Sequence, residues 1–192
     1  VDRVIERAPG IVIIDEAYGE FTDDGRVSEA PEHDRVLVTR TLSKAFGMAG
    51  FRIGYGTGAA SLVHEIEKVR GPYKENAPGE RAAACALRED VSWMRELAAK
   101  AVENRERFAE ALRGHGLAPL PSAANFLLVP IANAALVAQL MRERGIAVRP
   151  YPGLAETGDA LRITIGPWAL MELALDALIE ARAAAVTAER AR

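Results

Sequence analysis

The sequence predicts an α/β fold, with part of a large layered α-β-α domain followed by a small α/β domain, and three observations predict it. A continuous β-branched run, Ile11-Val12-Ile13-Ile14, has the pattern of a parallel strand buried on both faces. Short β-rich segments alternate with amphipathic helical ones. One long helical stretch separates the earlier strands from the later ones, which sets expected boundaries at residues 1–76 for the large-domain part, 77–113 for the helical connection and 114–192 for the small domain.

Taken in order, Val1 to Ala8 reads as the last turns of an amphipathic helix closed by Pro9-Gly10, as if the chain began inside a domain. The run from Ile11 to Ile14 comes next, and its acids, Asp15 and Glu16, therefore stand at a carboxyl end. Open α/β sheets bind ligands beyond those ends. Gly19 to Asp34 is a polar loop, Arg35 to Thr39 a second strand and Phe51 to Gly56 a third. Leu62, Val63, Ile66 and Val69 have helical spacing, and Gly71-Pro72 ends that helix. From Pro78 the pattern stays helical, breaks near Arg88-Glu89-Asp90, and resumes through Trp93, Leu97, Val102, Phe108 and Leu112 until Gly114-His115-Gly116. The remainder predicts strands at 125–129, 146–149 and 161–165, a helix over 133–144 and a last helix from about Trp168. Its tail, 181–192, is Ala-rich and charged without a strong apolar face, so fraying is expected there.

Of the 192 residues, 49% are hydrophobic and 27% charged, which is ordinary globular material rather than a disordered composition. A net charge of −3 with scattered basic residues gives no electrostatic footing for nucleic acid or an anionic membrane. The lone cysteine, Cys85, cannot form an internal disulfide, and no apolar stretch of about 18 residues appears, so a cytoplasmic location is expected. His33, His64 and His115 lack ligand-like spacing, and no metal is expected.

Two segments carry chemistry. The first is Asp15-Glu16-Ala17-Tyr18 at the end of the apolar run; the second is Thr41-Leu42-Ser43-Lys44-Ala45-Phe46-Gly47-Met48-Ala49-Gly50-Phe51-Arg52. Alone, Lys44 reads as a solvated loop lysine and Asp15 as an acid that ends a strand and caps the next residues. Their order and spacing resemble the histidinol-phosphate aminotransferase family, within the fold-type I aminotransferases, and the chain corresponds to the carboxyl-terminal half of that family's pattern. Lys68-Val69-Arg70-Gly71-Pro72-Tyr73 and Asn125-Phe126-Leu127-Leu128-Val129 extend the resemblance.

The resemblance implies pyridoxal 5′-phosphate as cofactor, with Lys44 forming a Schiff base to its aldehyde. It implies that Asp15 pairs with the pyridine nitrogen, that Tyr18 hydrogen-bonds the phenolic oxygen, and that Ser43 and Arg52 contact the phosphate. A neutral amine is needed at Lys44, which neighbouring cations such as Arg40 and Arg52 would favour. A buried phosphate asks for a guanidinium fork and hydroxyl or backbone donors, which Arg52 and Ser43 supply. Arg149 and Arg162 match arginines that take substrate anions. The implied reaction is amino transfer between histidinol phosphate and 2-oxoglutarate, with glutamate as the corresponding donor, in a cytoplasmic homodimer. Glu16 is a base or, more simply, an edge carboxylate, since a released Lys44 is already placed to move the proton.

Other readings stay open at this point. Aromatic aminotransferases and threonine-phosphate decarboxylase share much of the pattern. An apolar strand ending in Asp15-Glu16 also resembles the metal-binding strand of a nucleotide hydrolase, although no Gly-x-x-x-x-Gly-Lys-Ser/Thr loop is present. A non-catalytic remnant of the fold is a further alternative. The segment Lys74 to Glu80 departs from the family's common pattern by placing Pro78 and Gly79 where a helix should begin, which a first helical turn tolerates.

Overall fold

The computed structural model describes residues 1–72 and 74–190. The chain divides into two compact units, Val1–Ala98 and a second that begins at Ala99.

The first unit opens with helix α1, Asp2–Arg7, which stops at Pro9-Gly10. A three-stranded sheet comes next in the order β1-β2-β3, from Val12–Asp15, Val36–Thr41 and Gly54–Thr57. β1 and β2 are parallel, with Asp15 opposite Thr39, and β2 and β3 are antiparallel. On one face Val36 and Val38 pack with Ala30, Ile5, Ile14 and Val27. The other face departs from expectation. Ile11 and Ile13 are 59% and 65% exposed, so β1 is parallel but covered on one side only, where Val12 and Ile14 are half-buried, and no layer of the described residues covers the face of Ile13.

The third strand starts later than its β-rich composition suggests, since a 3-10 turn at Ala49–Phe51 and a left-handed Arg52 precede Gly54. Helix α2 spans Ala60–Val69 and buries Leu62, whereas Val69, expected on the apolar stripe, is exposed. Tyr73, which belongs to the family-like segment around Arg70, lies outside the described residues. Helix α3, Ala77–Glu89, begins at a cap in which the Asn76 side chain accepts the Gly79 N–H at 2.7 Å. Pro78 sits in that first turn, where its missing N–H costs nothing. Asp90 ends α3, and α4 runs over Val91–Gly114, with the division between units falling inside it.

The second unit is built on β4 (Phe126–Pro130), α5 (Ala134–Glu143), β5 (Arg149–Leu154), β6 (Gly158–Thr164) and α6 (Trp168–Arg190). Its sheet is antiparallel in the order β4-β6-β5. Leu127, Val129, Leu161 and Ile163 point to one face and join Phe108 and Leu112 of α4, Val137 and Met141 of α5, and Met171 and Leu178 of α6 in one core. The strand expected at 146–149 instead begins at Arg149 and includes Pro150 and Pro152, which an edge strand accepts because it needs fewer ladder donors. The tail, expected to lack an apolar face, has one in its first turns. Residues up to Arg190 are helical, and Ala181 and Ala185 pack into the core, while Ala191 and Arg192 lie outside the described residues. Among the described residues no helix is long and apolar enough to cross a membrane.

Candidate active site

Lys44 stands on a closed loop at the exit of β2. The Leu42 N–H donates to the Ile53 carbonyl at 3.1 Å, and the Leu42 carbonyl accepts the Met48 N–H at 2.9 Å, so a buried leucine pins both ends. Inside it, the Gly47 N–H donates to the Lys44 carbonyl at 3.0 Å, a turn that Gly47 completes at φ 68°, where a side chain would be strained. Ser43 is half-buried, and its N–H donates to Thr41 Oγ1 at 3.1 Å. With Leu42 and Phe46 turned inward, Lys44 is left exposed, and its Nζ lies 5.3 Å from the centroid of the Tyr18 ring.

Tyr18 belongs to the turn after β1. Asp15 is the last residue of that strand, and its Oδ1 accepts the Ala17 N–H at 3.0 Å, a local turn that leads the chain out of the strand. The Gly19 N–H then donates to the Glu16 carbonyl at 2.9 Å, and the Tyr18 ring rests against buried Phe21, centroids 6.5 Å apart. Asp15 and Tyr18 therefore share one turn at a strand's carboxyl end, next to the Lys44 loop.

Arg52 is exposed in left-handed backbone at φ 55°, its Nη1 donating to the Ala49 carbonyl at 3.2 Å. The residue before it is held from outside the loop, because Asn76 Nδ2 donates to the Phe51 carbonyl at 2.9 Å while the same side chain caps α3. One asparagine thus fixes both the start of α3 and the approach to Arg52.

Arg149 and Arg162 belong to the second unit, where they are cross-strand partners on β5 and β6. Direct partners in an antiparallel pair project from the same face. That face is opposite the core, as Leu161 and Ile163 on either side of Arg162 are buried. The Arg162 guanidinium lies 3.9 Å from the Phe126 ring centroid and that of Arg149 lies 5.4 Å from Tyr151. Two cations are thus presented from neighbouring strands on one face of the sheet.

The partners of Glu16 and Arg40 escape sequence reasoning. Arg40, expected as a cation near Lys44, is instead engaged with Glu16, through Nε at 3.0 Å and Nη2 at 2.7 Å, and with Glu20 at 3.6 Å. Burial opposes the charge on Arg40, but the hydrogen bonds and charge of Glu16, with the charge of Glu20, outweigh it and raise its pKa. Burial also pushes the Glu20 carboxyl up, with the Arg40 charge opposing. The parallel register that sets Asp15 beside Thr39 carries the signal, since it brings the next residues, Glu16 and Arg40, alongside each other.

The fold and the site together define a fold-type I aminotransferase architecture. The solved structure of histidinol-phosphate aminotransferase from Sinorhizobium meliloti, in complex with pyridoxal-5′-phosphate, aligns with a TM-score of 0.79 at 31% identity, over 95% of this chain and 53% of that one. The family model described as aminotransferase class I and II matches residues 1–178, and the chain belongs to that family. It is 40% identical over 168 residues to histidinol-phosphate aminotransferase from Methylibium petroleiphilum, across 86% of this chain and 44% of that protein. Histidinol-phosphate aminotransferase 2 of Thiobacillus denitrificans is 37% identical over 173 residues, across 88% and 48% respectively. The chain spans about half the length of the curated relatives it matches.

Proposed function

We propose that the chain carries the cofactor lysine and the substrate arginines of a pyridoxal-phosphate-dependent aminotransferase acting between histidinol phosphate and 2-oxoglutarate. The observation that carries this is the approach of Lys44 Nζ to the Tyr18 ring on a turn that begins at Asp15. An amine, a carboxylate and a phenol at one strand end, with the Ser43 hydroxyl and Arg52 guanidinium on the next segment, are a donor set that fits an aldehyde, a pyridine nitrogen, a phenolic oxygen and a phosphate. Family membership and the relatives' identities support the same reading.

When bound, pyridoxal phosphate supplies an electron sink for the pair left at the substrate's α-carbon. Lys44 holds the aldehyde and, once free, moves the α-proton on its Nζ. Asp15 keeps a proton on the ring nitrogen, and Tyr18 donates to the phenolic oxygen. Ser43 and Arg52 hold the phosphate. Arg149 and Arg162 receive substrate anions, each contact contributing about 1.5–3 kcal/mol as a charge-assisted hydrogen bond. In this reading residues 1–76 belong to the large cofactor domain, 77–113 connect, and 114–192 form the small domain of a cytoplasmic homodimer.

The test is borohydride reduction of the chain incubated with pyridoxal 5′-phosphate, followed by peptide mapping. The label is expected on Lys44 and is expected to vanish in Lys44→Ala together with the visible absorbance; a label chiefly on another lysine, such as Lys68, refutes the assignment. For substrate class, Arg149→Ala is expected to weaken histidinol phosphate more than glutamate, and Arg162→Ala to weaken both. A complete enzyme that prefers phenylpyruvate would replace this reading with an aromatic aminotransferase.

A further inference from the structure

Behind the turn that carries Asp15 and Tyr18 lies a charged cluster that none of these roles uses. Arg40 stands four residues before Lys44 on the same strand exit, with its side chain 15% exposed, and the Glu20 side chain facing it is 5% exposed. Glu16 accepts both Nε and Nη2 of Arg40 on one oxygen and the Arg26 backbone N–H on the other. Glu20 adds a second carboxylate, whose Oε2 is buried without a hydrogen-bond partner among the described residues. The loop thus meets the guanidinium at its start, through Glu16 and Glu20, and is tied back to Glu16 ten residues later.

Two glycines make room for it. A Cβ on Gly25 would fall 2.5 Å from Arg40 Nη2, and one on Gly19 would fall 3.1 Å from it. Neither glycine has a positive φ, so the requirement is for space around the guanidinium and not for backbone freedom. Removing one partner of a buried ion pair is more disruptive than never having had the pair, because the remaining charge is left uncompensated.

We propose that Arg40 is a positioning residue that clamps the 16–26 loop and so fixes the Asp15–Tyr18 turn against the segment presenting Lys44. Its consequence for the cofactor rests on the function proposed for the chain, but the clamp itself does not. Arg40 touches neither cofactor nor substrate in this role; it acts through the carboxylate of Glu16, one residue beyond Asp15, and through its own strand.

The experiment compares backbone hydrogen exchange in the wild-type chain, Arg40→Met, Arg40→Lys and Gly25→Ala, and then titrates each with pyridoxal 5′-phosphate. In Arg40→Met and Gly25→Ala, amides of residues 17–26 are expected to exchange about tenfold faster, with a smaller change in Arg40→Lys and none in β4 to β6. Cofactor affinity is expected to fall in the same order, by about fivefold in the worst variant. Gly25→Ala carries the test if Arg40→Met fails to fold. Unchanged exchange at 17–26, acceleration spread equally over both units, or faster exchange with unaltered cofactor affinity would each overturn the proposal. A wild-type chain that takes up no cofactor would remove the proposed function instead, leaving the exchange comparison to decide the clamp.

Discussion

The two units hold their sheets by different means. In the second, Leu127, Val129, Leu161 and Ile163 are sealed in a core shared with α4, α5 and α6, so the strands are fixed from behind by apolar packing. In the first, the packed face centres on Ala30, Val36 and Val38, and Ile11 and Ile13 are open on the other. Its chemistry-bearing turns rest on a few buried side chains, Phe21, Leu42 and Phe46, and are tied further by the Arg40 ion pairs, the Asn76 cap and short backbone turns. A site assembled by polar ties is sensitive to single hydrogen bonds, whereas one assembled on a core is sensitive to volume.

A pair of truncations separates these two kinds of support most widely. Phe108→Ala, in the sealed core, is expected to cost the second unit about 3–5 kcal/mol, while Ile13→Ala is expected to shift the first unit by no more than about 0.5 kcal/mol. Denaturant unfolding followed by hydrogen exchange reads the two units separately, and equal losses would erase the distinction. A smaller effect is expected from the cap. Asn76→Ala should cost about 1–2 kcal/mol in the first unit and speed exchange around Phe51, whereas Asn76→Asp keeps the acceptor for Gly79 and loses only the donation to the Phe51 carbonyl. If Asp and Ala cost the same, the cap is irrelevant and the Phe51 tie carries the effect.

The smallest effect is a pH dependence confined to the first unit. Burial raises the Glu20 carboxyl above its ordinary value of 4.5, with Arg40 opposing, so the folded state keeps this proton at a pH where the unfolded chain has lost it. The associated stability is complete below that ordinary value and is lost as pH rises through the raised one. Thermal melts of the first unit should therefore show a shallow decline on the alkaline side of pH 4.5, and Glu20→Gln should flatten it.

The sequence made the alternation of strands and helices legible, including the break before α4 at Asp90, because apolar period and stop signals agree there. It misled where local composition and neighbourhood disagree. Ile11 to Ile14 looks doubly buried because a run of branched residues cannot report whether another layer covers each face of its strand. Pro150 and Pro152 look like a loop, yet they belong to a strand, since an edge position forgives the missing donors. Lys44, Asp15 and Tyr18 were singled out only through a family resemblance, and the 5.3 Å between Lys44 Nζ and the Tyr18 ring centroid reflects two adjacent strand ends. The engagement of Arg40 with Glu16 was not visible, because it depends on a cross-strand register that residue spacing along the chain does not express.

The alternation on β6 reaches beyond its own strand. Leu161 and Ile163 face inward and Arg162 outward, so a slip of one residue would drive a guanidinium into the core and put two aliphatic side chains into water. The strand is thereby proofread by its hidden side. The spacing between Arg162 and Arg149 is set by packing on the far face of the sheet, and any anion that arrives meets two cations whose separation was settled when the chain folded.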